Sequence, residues 1–215
     1  MGLFDQFNPL DLLLNDNQQA TGNLADKAGL DRADFGKIAT MGLPLILSQI
    51  NRNNQSQEGL ESFDNALKQH EDVNNYQSFD ELTQQVDTED GDKILGHVFQ
   101  DKDTLIERIA NTLGLTPAAV KRALVVIAPL ILKYLAERKS NQNLDREGVQ
   151  RETQSTIDRM NDSLRQKGQE SLGNDGLLDS LLDGLNQGSV PQNNPNQKTT
   201  QSGGLLGNIL KNIFK

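Results

Sequence analysis

Two histidines, His70 and His97, are the side chains of this 215-residue chain best suited to proton transfer or metal ligation. Asp72 and Asp90 lie close enough in sequence to join them, and two imidazoles with carboxylates can form a donor set for a divalent ion such as zinc. Their separation matches no known ligand spacing, so a satisfied or surface histidine is the better reading of each. The acidic run DTEDGD, residues 87–92, superficially has the look of a calcium loop. That loop needs a glutamate at its twelfth position, and the twelfth residue counted from Asp87 is Val98. A solvated loop is expected instead. The chain has no cysteine, which removes disulfides, thiolate metal sites and cysteine nucleophiles and fits a reducing cytoplasm. No glycine-rich phosphate loop, serine elbow or paired-carboxylate context stands out. The expectation is a protein that is not an enzyme, with no catalytic, cofactor-binding or metal residues, no cofactor and no small-molecule substrate.

The best-formed binding motif is RIANTLGLTPAAVKRAL, residues 108–124, which places Ala110, Gly114 and Val120 at the spacing of a DNA-binding helix-turn-helix. In that motif the small residue lets the helices approach, glycine makes the turn and the apolar residue seats the second helix. Lys121 and Arg122 would be its phosphate contacts. The second helix then continues into ALVVIAPLILKYL, which wants burial rather than a groove, and the net charge of −9 opposes a polyanion. DNA binding therefore stands as an alternative, and nucleic acid as an unfavoured partner.

These residues need elements to carry them, and the sequence supplies helices. Shifting the chain on itself by 85 positions aligns residues 24–47, LADKAGLDRADFGKIATMGLPLIL, with residues 109–132, IANTLGLTPAAVKRALVVIAPLIL, with eight identities in 24 positions. Each stretch reads as a short helix, a turn at Gly29 or Gly114, and a longer helix capped by Asp31 or Thr116, with Pro117 at a first helical position where no amide partner is needed. The longer helix is apolar nearly all round, which implies neighbours on every side. Pro44 and Pro129 inside these helices each delete one backbone hydrogen bond. A kink or break that bends the helix over its neighbours is the expected use, with the carbonyl of Thr40 or Val125 freed.

LPLIL (residues 43–47), GLESFDNALKQHED, DGDKILGHVF (residues 90–99), IANTLGLTPAAVKRALVVIAPLILKYL and the terminal GGLLGNILKNIF together resemble the bacterial DUF937 (YidB-like) family of unknown function. The resemblance covers about residues 1–139 and the last dozen. It implies an all-α multihelical bundle with one central helix, and it implies no catalysis. The polar stretch after residue 139 departs from the Gly-rich tail usual in the family.

The expected fold is thus an all-α multihelical bundle built from two tandem helix-turn-helix-like repeats, with a polar helix and a flexible tail ending in an amphipathic helix. Residues 1–139 form the duplicated core, with Leu60, Phe63 and Leu67 packing a helix on the first unit and a short helix around Phe79 and Leu82 in a polar linker. Residues 140–172 form a polar helical segment with a narrow stripe of Val149, Thr153, Ile157, Met160 and Leu164. Residues 173–186 form a short amphipathic helix, 187–203 a disordered linker, and 204–215 an amphipathic C-terminal helix. Leu3, Phe4 and Phe7 at one end and Leu205, Leu206, Ile209, Leu210, Ile213 and Phe214 at the other are the candidate interaction residues. The expected partner is another copy of the chain or another protein. A membrane surface is the weaker alternative, because only two lysines line the polar face of the last helix. The N-terminal stretch MGLFDQFNPLDLLLND carries no signal-peptide pattern, and a cytoplasmic location is expected.

Overall fold

Seven consecutive helices begin on an aspartate, serine or threonine whose side chain accepts an amide of the first turn. The acceptors are Asp31, Ser56, Ser78, Asp87, Asp101, Thr116 and Asp145. Each satisfies an amide that has no partner within its own helix, so the boundaries of the fold are written locally. In the computed structural model, which describes Phe4, Pro9, and residues 18–72 and 76–166, eight helices are present and no strand occurs among the described residues. They are α1 (Gln18–Ala28), α2 (Arg32–Asn53), α3 (Gln57–Gln69), α4 (Phe79–Gln84), α5 (Thr88–Val98), α6 (Lys102–Leu113), α7 (Pro117–Gln142) and α8 (Arg146–Gln166). The fold is all-α.

The pairs α1–α2 and α6–α7 share one local geometry. Gly29 and Gly114 adopt left-handed conformations with φ of 63° and 68°, which end the shorter helix of each pair. The amides of Leu30 and Leu115 then close back on the carbonyls of Ala25 and Ala110, both at 2.9 Å. Pro117 occupies the start of α7 as expected. Both long helices run without interruption through Pro44 and Pro129, so neither proline breaks its helix.

Helix α7 is the hub. Helices α1, α2, α3, α5, α6 and α8 all pack against it, and every residue from Ala123 to Glu137 is buried. A single contiguous core contains Leu24 and Phe35 from the first pair, Ile94 and Leu95 from α5, most of α7, and Val149, Ile157 and Met160 from α8. Each such aliphatic side chain contributes about 1.5–3 kcal/mol on burial, which offsets the weak helix preference of a β-branched run such as Val125–Ile127.

The proline of α7 sets where α5 sits. Pro129 has no amide to give the Val125 carbonyl, and its ring pushes that carbonyl away from the helix axis. Gly91 of α5 lies directly over it: a Cβ built on Gly91 would be 1.8 Å from the Val125 oxygen. Only a residue without a side chain permits that approach. The acidic run 87–92 is correspondingly not a solvated loop. Asp87 caps α5 by accepting from the amides of Glu89 and Asp90, and the acids of the first turn oppose the positive end of the helix dipole.

Polar contacts fasten the periphery. Asp64 of α3, 7% exposed, pairs with Lys139 of α7 at 2.5 Å, with Lys68 at 3.0 Å and with Arg146 of α8 at 3.6 Å. The hydrogen bond from Lys139 is the largest of the influences that hold its pKa down at about 2. Because of this tie α3 leans on α7 and α8 more than on the first helix pair, against the expectation that Leu60, Phe63 and Leu67 would pack it there. Helix α8 docks through the narrow stripe read from its sequence, with Val149, Thr153, Ile157 and Met160 all buried. Its seam with α7 is closed by Glu152, which accepts from Arg138 and Arg159, each at 2.8 Å.

Two tests follow from this packing. Gly91→Ala should lower unfolding free energy by about 2 kcal/mol or more through steric overlap. Gly96→Ala in the same helix, where the nearest foreign atom is Lys102 Nζ at 4.0 Å, should raise it by up to about 1 kcal/mol. Equal effects in urea denaturation would place α5 elsewhere. For Asp64, the depressed pKa makes its stabilisation complete above the ordinary aspartate value of about 3.9 and lost as pH falls through about 2. Urea midpoints of the wild type and Asp64→Asn should therefore differ at neutral pH and converge over that acidic window; a constant gap would contradict the ion-pair assignment.

Candidate functional site

A groove lies between the C-terminal end of α2, one face of α3 and one face of α5. Helix α3 presents Gly59, Ser62, Phe63, Ala66, Gln69 and His70 to it, the i, i+3, i+4 rhythm of a single helical face. Ser62 and Ala66 are too short to fill the space opposite α5, and a trough remains; Gly59 instead lets the start of α3 approach the Asn53 carbonyl, which a Cβ there would meet at 1.9 Å. Its floor is apolar, from Ile50, Ile94, Val98 and Leu132. Its walls are amides, with Gln49 donating to Asn53 Oδ1 at 2.8 Å and Asn53 donating to the Val98 carbonyl at 2.9 Å, which ties α2 to the end of α5. Lys93 and His97, one turn apart on α5, stand exposed at its edge.

His70 and Asp90 bridge the trough. The ring is 7% exposed, with Nδ1 2.8 Å from the Ala66 carbonyl and Nε2 2.9 Å from Asp90 Oδ2. Both ring nitrogens therefore face oxygen atoms of the chain's own α3 and α5, which fixes the ring's orientation across the trough. Asp72, which sequence proximity grouped with the histidines, is instead held by Lys133 at 2.5 Å. Among the described residues no group of three His, Asp or Glu side chains is placed to hold a metal ion. His97 lines the same groove as His70 and Asp90, so three of the four residues grouped from the sequence share one site and Asp72 does not.

Lys121 and Arg122, the phosphate contacts of the DNA-binding alternative, serve the fold. Lys121 pairs with Asp92 at 3.1 Å. Asp92 also takes Lys102 at 2.7 Å, and the hydrogen bonds from Lys102 and then Lys121 hold its carboxyl below the usual carboxylate range. Arg122 Nε donates to the Ala28 carbonyl at 2.7 Å, capping the C-terminal end of α1. From Ala123 to Glu137 α7 is buried and presents no reading surface.

Of the candidate interaction residues, Phe4 is corrected. It is 2% exposed, so it is not available to a partner. Its ring meets Phe79 and Tyr134 edge to face, both with centroids 5.5 Å away, and its amide donates to Glu137 Oε1 at 2.7 Å. The wide aromatic gap between α4 and α7 is better filled by the chain's own phenylalanine than by water, and the buried Glu137 carboxylate gains a donor. Leu3, Phe7, Leu205, Leu206, Ile209, Leu210, Ile213 and Phe214, together with segments 173–186, 187–203 and 204–215, lie outside the described residues. No single described helix is long and apolar enough to cross a membrane.

Residues 11–138 match the sequence model of the family described as "Bacterial protein of unknown function (DUF937)". The matched stretch covers α1 to α6 and most of α7, and therefore the whole groove; it ends before α8 and before the terminal GGLLGNILKNIF. Searches of curated proteins and of solved structures gave no match.

The burial of Phe4 is testable. Phe4→Ala should lower unfolding free energy by about 3 kcal/mol, the usual cost of truncating a buried phenylalanine. A midpoint of thermal unfolding unchanged from that of the wild type would return Phe4 to the surface.

Proposed function

The chain belongs to the DUF937 family of bacterial proteins of unknown function, and on that premise we propose that it is a non-catalytic helical interaction protein that associates with itself or with a protein partner through its C-terminal segment. The carrying observation is the contrast between the two ends of the molecule's apolar material. The bundle consumes its own, since α7 is enclosed by six other helices and even Phe4 folds inward. Read at helical spacing, the sequence of residues 204–215 would place Leu205, Leu206, Ile209, Leu210, Ile213 and Phe214 on one face and Asn208, Lys211, Asn212 and Lys215 on the other. Burying such a face contributes on the order of 5–10 kcal/mol before ordering costs, enough to hold an assembly together.

Support for a non-catalytic reading comes from the side chains most suited to chemistry. His70 is committed at both nitrogens, and Asp64 and Asp92 are neutralised by lysines. A cytoplasmic setting agrees with the cysteine-free composition. Deleting residues 204–215 should lower the molar mass measured by light scattering, or release a protein partner captured by the full chain. A deletion variant with unchanged mass and unchanged partners would remove the proposal.

A further inference from the structure

Helix α5 places the positive charge of Lys93 at the edge of the groove. The chain has a net charge of −9, so carboxylates are plentiful, and the other described lysines use them or a carbonyl. Lys37, Lys68, Lys102, Lys121, Lys133 and Lys139 each sit within 3.1 Å of a carboxylate oxygen, and Lys27 donates to the Gln84 carbonyl at 3.0 Å. Among the described residues Lys93 is the lysine with no such partner. It stands one helical turn from His97, and both side chains line a groove of about 820 Å³. That volume is within the range of sites that hold a small organic ligand.

We propose that this groove binds a small amphipathic carboxylate. Its apolar body lies along the half-buried Phe63 and Ala66, over the floor of Ile50, Ile94, Val98 and Leu132, and its carboxylate meets Lys93 with His97 beside it. The opposite arrangement is disfavoured by charge. Asp90 is already paired with His70, and Glu58, on the α3 side, would repel an anion and so directs it to the α5 edge. A neutral ligand would gain the floor but leave Lys93 unanswered. A cation would meet the ammonium of Lys93 at like charge. The short side chains of Ser62 and Ala66 take on a role here, because larger residues at those positions would close the trough. This site is separate from the C-terminal segment, so its failure or success leaves the assembly proposal untouched.

The test uses the full chain, isotope-labelled, titrated with decanoate, decanol and decylammonium below their micellar concentrations. Decanoate should bind saturably at one site and shift the amides of Ser62, Ala66, Lys93 and His97. Decanol and decylammonium should bind at least tenfold more weakly. Lys93→Gln should weaken decanoate binding at least tenfold, while Lys37→Gln, near the opposite end of α2 from the groove, leaves it unchanged. Ser62→Trp, at an exposed lining position that tolerates bulk, should abolish binding with the fold intact by circular dichroism. Non-saturable binding, equal affinity for the three probes, or full decanoate affinity in either Lys93→Gln or folded Ser62→Trp overturns the proposal.

Discussion

A carbonyl without its amide, at Val125, is the constraint around which the bundle is arranged. Pro129 takes away the hydrogen bond that an α-helix would supply there, in the middle of the most deeply buried helix of the chain. A buried carbonyl left without a donor is costly. The backbone of α5 at Gly91 covers it, at a distance that no other residue type allows. This contact orients α5 on α7, and with it everything α5 carries: Asp90 toward His70, Asp92 toward Lys102 and Lys121, and Lys93 and His97 toward the groove.

The second principle is that charge is spent on internal joints. Asp64 ties three helices through Lys139, Lys68 and Arg146. Glu152 gathers Arg138 and Arg159, and Arg159 also reaches the hydroxyl of Tyr134, whose burial pushes its pKa above the ordinary phenol value. Arg122 closes the end of α1. An acidic chain with so many of its described cations paired to carboxylates has few of them left unpaired for a polyanion. Exposed pairs of this kind contribute little each; the half-buried ones at Asp64 and Glu152 contribute more, because screening by solvent is weaker there.

Much of this was legible in the residues. The caps at Asp31 and Thr116, the left-handed turns at Gly29 and Gly114, the enclosure of α7 and the buried stripe of α8 all follow from local patterns that tertiary structure did not override. The acidic run misled because Asp87 to Asp92 looks solvated in isolation, while its acids are favourable at a helix start. Phe4 misled because a terminal phenylalanine carries no local mark of its partner; Phe79 and Tyr134 are 75 and 130 positions away. The groove was invisible for the same reason. Its lining comes from α2, α3 and α5, and a space is defined by what short side chains fail to fill.

Native-state hydrogen exchange measures the central joint most directly. If Gly91 locks α5 against the carbonyl of Val125, the amides of Ile94 to Val98 and those of Leu124 to Ala136 should exchange through one global opening, with the same dependence on denaturant. Release of α5 at low denaturant, while α7 stays protected, would show that the two helices are independent and that the close approach at Gly91 does not join them.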